Sequence, residues 1–82
     1  MYVVSSSGGL MVQLNKLYIC DVSGDRSMFE IQHRGVGTKL YEYDVLAAYK
    51  TAREALDQMN FITRAIAAGE GVYRLVCSTA DM

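Results

Sequence analysis

The chain has 82 residues and a mass of 9.1 kDa, which allow one hydrophobic core and exclude a two-domain protein. Hydrophobic residues make up 51% and charged residues 21%, a balance that excludes an intrinsically disordered chain. Eight Lys and Arg against nine Asp and Glu give a net charge of −1 without charge runs. We therefore expect neither a basic nucleic-acid-binding surface nor an acidic mimic of nucleic acid.

The first residues, Met1 to Ser5, lack the charged region and the long apolar region of a signal peptide. No other segment is long and apolar enough to suggest a membrane span. The two cysteines, Cys20 and Cys77, lie far apart in the chain and form no CxxC motif. This pattern favours free thiols in an intracellular protein.

The first half of the chain predicts strands. Short β-branched and aromatic stretches alternate with turns that contain Gly, Ser or Asp. The short apolar stretches 2–4 and 10–14 flank a hairpin turn, and further strands are expected over 17–22, 28–33 and 38–43. The strand over 38–43 can continue through a bulge to Tyr49. This order predicts an antiparallel β-meander of about four strands.

A helix is predicted over about 51–68. Thr51-Ala52-Arg53-Glu54 forms a capping box, and Gly69 supplies the left-handed stop. An alternative start at an Asp44 cap gives a rod of about 36 Å, which is long for a chain of this size, so we favour Thr51. Apolar residues recur at three- and four-residue spacing and predict a core-facing stripe of Ala52, Ala55, Leu56, Met59, Ile62, Thr63 and Ile66.

A final strand is expected over 72–77, followed by a frayed tail over 78–82. The sequence thus predicts one α+β domain over residues 1–77. The stretches 17–22 and 72–77 carry apolar side chains on both faces, whereas one helix covers only one face of a sheet. We therefore expect the uncovered apolar surface to make the protein a homo-oligomer. The alternative is that the strands are short and twisted, with Tyr and Cys exposed at the edges.

Phe61 lies on the helix face opposite Met59 and Ile62, where solvent is expected. With Ala65 and Ala68 nearby, it can anchor a contact between helices or with a partner, since aromatic residues are enriched at interfaces. Tyr18 and Tyr73 join this candidate interface, because tyrosine supplies rigid contact area with a polar tip. The alternative for Phe61 is that the C-terminal tail folds over it.

Tyr41 and Tyr43 share one strand face with Lys39, so they could stack on a nucleotide base while the cation meets a phosphate. Arg74 is the fourth member of this candidate ligand site. The alternative is that this strand face only packs within the sheet.

His33 and Arg34 are expected at a turn, as an anion contact or as a solvated hairpin tip.

We do not expect an enzyme. The single histidine, His33, would have to serve any nucleophilic triad. Glu30 and Glu42 could in principle form a pair of carboxylates across neighbouring predicted strands, but like charges in such positions commonly point apart into solvent. No metal-binding motif and no cofactor signature occurs in the sequence.

Residues 49–75 resemble a group of short proteins from bacteriophages and prophages of Gram-positive bacteria. The shared pattern is Tyr49-Lys50-Thr51, a helix with Ala65-Ile66 near its end, Gly69, and Val72-Tyr73-Arg74-Leu75. The sequence Leu75-Val76-Cys77 replaces the group's usual Met-Pro ending, which predicts a longer final strand and a different assembly.

The resemblance implies a phage-type accessory protein in the cytoplasm of an infected cell. The first hypothesis is an oligomeric binding protein that inhibits a host or anti-phage defence component through its sheet and helix surfaces. The second is a sponge that sequesters a small signalling nucleotide at a subunit interface. The third is a structural or regulatory phage protein.

Overall fold

The computed structural model describes residues 1–35 and 42–76. In chain order the elements are β1 (Tyr2–Val4), β2 (Met11–Gln13), β3 (Lys16–Asp21), β4 (Phe29–Arg34), β5 (Asp44–Tyr49), α1 (Ala52–Ala67) and β6 (Val72–Arg74). This succession of strands, one helix and a final strand confirms the predicted α+β class.

The strands divide between two three-stranded sheets. Sheet A has the order β2-β1-β6, in which β1 pairs antiparallel with β2 and parallel with β6. Sheet B has the order β3-β4-β5 and is an antiparallel meander throughout. The expected meander of about four strands is therefore found as three strands in sheet B, whereas the first hairpin pairs with the last strand of the described chain in a sheet of its own.

Strand β5 differs from the sequence prediction. The strand begins at Asp44, after Glu42 and Tyr43, while residues 38–41 of the predicted strand lie outside the described residues. It ends at Tyr49 as expected, and the register shift lies between Ile31 and Gln32 of the neighbouring β4. Because residues 44–49 pair as a strand, the alternative helix start at Asp44 is wrong.

The helix begins where the capping box predicts. Thr51 has an extended backbone, and its hydroxyl accepts from the Glu54 amide over 3.2 Å. Gly69, with φ of +75°, follows the Ala68 C-cap in the left-handed region that ends the helix. The preferred start at Thr51 is thus confirmed.

The core lies between α1 and sheet B and extends under sheet A. Its buried apolar members are Val3, Phe29, Ile31, Leu46, Ala47, Tyr49, Ala55, Ile62 and Leu75. The buried row of the helix is Ala55, Gln58, Ile62 and Ala65, so the helix is rotated relative to the predicted stripe. Leu56, Thr63 and Ile66, which were predicted to face the core, are exposed.

The final strand is shorter than predicted. It ends at Arg74, although the Leu75 amide still donates to the Val4 carbonyl over 3.0 Å. Cys77 and the predicted tail 78–82 lie outside the described residues. Cys20 is half-buried and has a free thiol.

Candidate protein-binding surfaces

An apolar groove runs between the C-terminal half of α1 and the segment around β6. We call it the helix–strand groove; it has a volume of about 450 Å³ and is lined by Phe61, Arg64, Ala65, Ala68, Glu70, Tyr73 and Val76. The alanines leave room that larger side chains would fill. Phe61 stands beside them with 42% of its surface exposed.

Gln58 holds the two walls of this groove together. Its buried Oε1 accepts from the Tyr73 hydroxyl over 3.1 Å and from the Val76 amide over 3.2 Å. The turn between helix and strand is fixed by the Glu70 amide, which donates to the Ala65 carbonyl over 3.0 Å. The groove is therefore a built feature of the fold.

Two opposite charges line the groove. The Arg64 guanidinium lies 5.7 Å from the centre of the Phe61 ring, within the range of a cation–π contact. Among residues 1–35 and 42–76, neither Arg64 nor Glu70 forms an ion pair. Partial burial raises the pKa of the Tyr73 hydroxyl from 10.0, because desolvation disfavours the phenolate.

The second candidate surface is the outer face of sheet A. Val3 is fully buried, so the neighbouring positions of β1 point away from the core. The strand pairings place six side chains on this outer face: Tyr2, Val4, Met11, Gln13, Val72 and Arg74. Tyr2, Met11 and Val72 are 45%, 59% and 54% exposed.

Arg74 lies over the β1–β2 turn. Its Nη2 donates to the Ser6 carbonyl over 3.3 Å, and a Cβ on Gly8 would come within 3.1 Å of the same nitrogen. Gly8 has φ of +80°, which also favours glycine. The arginine therefore connects β6 to the hairpin rather than projecting freely from the sheet.

The predicted interface residues largely meet in one place. Phe61, Ala65, Ala68 and Tyr73 all line the helix–strand groove, with Ala65 buried. Tyr18 is separate from them: it is exposed on the outer face of sheet B, 5.7 Å from the Arg34 guanidinium.

The predicted nucleotide site is only partly within the described residues. Lys39 and Tyr41 lie outside them. Tyr43 is exposed just before β5 in sheet B, whereas Arg74 belongs to sheet A and contacts Ser6. No described contact joins Tyr43 to Arg74, so the nucleotide site stays a prediction.

The expectation that His33 stands at a turn is wrong. His33 lies inside β4 with 3% of its surface exposed, and its Nε2 accepts from the Asn15 amide over 3.1 Å. Its Nδ1 is buried without a hydrogen-bond partner among the described residues. The Gly-Val-Gly sequence after Arg34 suggested that His33 already belongs to the turn. The strand instead continues through His33, which pairs with Leu17 and Asp44.

The suggested carboxylate pair is not formed across the strands. Glu30 lies opposite Cys20 and Ala48, and its Oε1 accepts from the side-chain Nε2 of Gln32 over 3.0 Å. Glu42 precedes β5 and has no cross-strand position in sheet B. Within residues 1–35 and 42–76, no three His, Cys, Asp or Glu side chains cluster in a way that could hold a metal ion.

The outer face of sheet A is a distinct surface that was not predicted from the sequence. The signal was present in Tyr2-Val3-Val4, where three consecutive apolar residues in one strand must place some on each face.

Among the described residues, no helix is long and apolar enough to cross a membrane. The chain matches no protein-family model, no curated protein and no solved structure.

Proposed function

We propose that this chain is a non-enzymatic, phage-type accessory protein that self-associates and binds a host or defence protein in the cytoplasm of the infected cell. The observation that carries the proposal is the apolar outer face of sheet A, in which Tyr2, Met11 and Val72 are exposed on one small sheet. Phage origin rests on the resemblance of residues 49–75.

The chemistry of this face favours a protein partner. Protein interfaces are enriched in Tyr, Met and Arg and depleted in Lys, Glu and Asp. The outer face contains Tyr2, Met11 and Arg74, and none of its six residues is Lys, Glu or Asp. Covering its apolar part removes a cost of about 25 cal/mol for each Å² withdrawn from water.

The edges of sheet A add main-chain recognition to this apolar surface. Strands β2 and β6 are its outer strands, and each is paired on one side only among the described residues. A partner strand that adds to an edge gains backbone hydrogen bonds, while alternate side chains contact the adjoining face. The side chains of Met11 and Val72 lie directly beside these two edges.

The proposal is tested with a matched pair of variants. Val72→Lys places a charge on the outer face, whereas Val45→Lys makes the same change at an exposed position in an outer strand of sheet B. Tagged wild-type protein is first used to isolate and identify a host partner, and binding of that purified partner is then measured by calorimetry. We expect Val72→Lys to weaken binding about tenfold or more and Val45→Lys to leave it nearly unchanged.

Circular dichroism of both variants establishes that they fold as the wild type does. Equal binding by wild type and folded Val72→Lys would contradict the assignment of this face. Failure of the wild type to retain any host protein specifically would contradict the proposed function as a whole.

A further inference from the structure

We infer that the helix–strand groove is a two-fold docking site for a second copy of this chain, in which Arg64 of each copy meets Glu70 of the other. The inference deepens the self-association included in the proposed function. It concerns a different surface from the outer face of sheet A, so the two can be tested separately.

The shape of the groove suits a self-complementary contact. Phe61 is an exposed aromatic side chain at the groove, and Ala65 and Ala68 are small residues on the same helix. A two-fold interface uses one patch twice, so it needs both a projecting group and a space that accepts it. The aromatic ring of one copy can enter the space over the alanines of the other.

Charge selects a second copy over other occupants. A groove for an acidic or basic peptide would carry charge of one sign, whereas this groove carries one cation, Arg64, and one anion, Glu70. Both side chains are exposed and lack an ion-pair partner among the described residues. A two-fold rotation brings each cation to the anion of the other copy and forms the same pair twice.

The contact is small. Seven residues line the groove, and interfaces that bury less than about 1,200 Å² in total are characteristic of weak, reversible complexes. We therefore expect a dimer that dissociates in the micromolar range and becomes fully populated only at higher concentration.

Charge reversal tests this arrangement by sedimentation velocity over a concentration series. The variants are Arg64→Glu and Glu70→Arg, both at exposed positions that leave the core unchanged. Each variant alone should dimerise about tenfold or more weakly than the wild type, because like charges then meet at both symmetry-related positions. An equimolar mixture of the two variants should recover dimers, since every charge again faces its opposite.

Arg53→Glu is the matched control, because it reverses a charge on the same helix at a residue that does not line the groove. It should dimerise as the wild type does. A wild type that remains monomeric throughout the series would overturn the inference, as would a mixture that stays as monomeric as its components. If the wild type binds its partner but forms no dimer, the groove inference is wrong and the partner-binding role of sheet A is retained. If it forms the dimer but binds no partner, the inference is retained and the proposed partner binding is wrong.

Discussion

The backbone amide of Asn15 donates to Nε2 of His33 over 3.1 Å, and this bond connects the segment between the two sheets to the middle strand of sheet B. Because Nε2 accepts, the neutral ring must carry its proton on Nδ1. We predict that long-range proton–nitrogen NMR spectra will show the Nδ1–H tautomer of His33. A protonated Nε2 in the neutral ring would contradict this geometry.

Gln58 should contribute more to stability than its position in an apolar helix row suggests. Its Oε1 accepts from Tyr73 and Val76, so Gln58→Leu would leave two donors without their partner. We expect this change to lower the free energy of unfolding by about 1–3 kcal/mol. Tyr73→Phe removes only one donor and should cost about 0.5–1.5 kcal/mol. Urea unfolding measures the loss of unfolding free energy in both variants. An equal loss in the two would show that the hydrogen bond from the Val76 amide contributes little.

The raised pKa of Tyr73 predicts that the protein loses stability at alkaline pH. Burial raises its pKa above 10.0 in the folded protein, so folding favours the neutral hydroxyl. This contribution is complete below pH 10.0 and is lost as the pH rises through the folded pKa. Wild type should therefore lose unfolding free energy in this range more steeply than Tyr73→Phe. Parallel pH profiles for the two proteins would exclude the effect.

The lowered pKa of Asp21 predicts a loss of stability at acid pH, in contrast to the alkaline effect of Tyr73. The Ser23 hydroxyl, which donates over 2.8 Å, is the largest cause that lowers the pKa of Asp21 from 3.8. Desolvation opposes it, and the backbone amides of Ser23, Arg26 and Gly24 add to it. The contribution to stability is thus present above pH 3.8 and is lost as the pH falls through the folded pKa.

The measurement is the difference in unfolding free energy between wild type and Asp21→Ala across this range. The difference should be largest near neutral pH and should shrink in acid, because the protonated wild-type side chain no longer holds the turn amides of Ser23, Gly24 and Arg26 as an anion. A difference that is constant with pH would show that the carboxylate charge is not what stabilises the turn.

The helix could be predicted because its signals are local. Thr51 and Glu54 lie three positions apart at its start, and Gly69 marks its end, so neighbouring residues alone determine its limits. Phe61 could likewise be assigned to the surface, because helical spacing places it away from the apolar stripe.

The rotation of the helix could not be predicted from its own residues. Leu56 and Ile66 are more apolar than Gln58, yet Gln58 is buried and the other two are exposed. The explanation is distant in sequence, since Gln58 accepts from Tyr73 and Val76. Hydrophobic spacing measures a preference for burial but contains no information about a partner on another element.

Strand pairing was similarly beyond local signals. The apolar residues of β1 and of the final strand predicted strands correctly, but nothing in either segment indicates that they lie side by side and parallel. His33 was misplaced for a related reason, because its burial depends on Asn15 and on the neighbouring strands of sheet B.

The pairing of Tyr2 with Val72 has a consequence for the order of folding. Sheet B and the helix connect segments that are close in sequence, whereas sheet A waits for β6, which leaves the ribosome after all of them. An isolated two-stranded hairpin is at best marginally stable in water. During synthesis, β1 and β2 lack their third strand until β6 arrives, and among the strand pairings of the described residues the pairing of β1 with β6 closes the longest stretch of chain and so carries the largest loop-closure entropy.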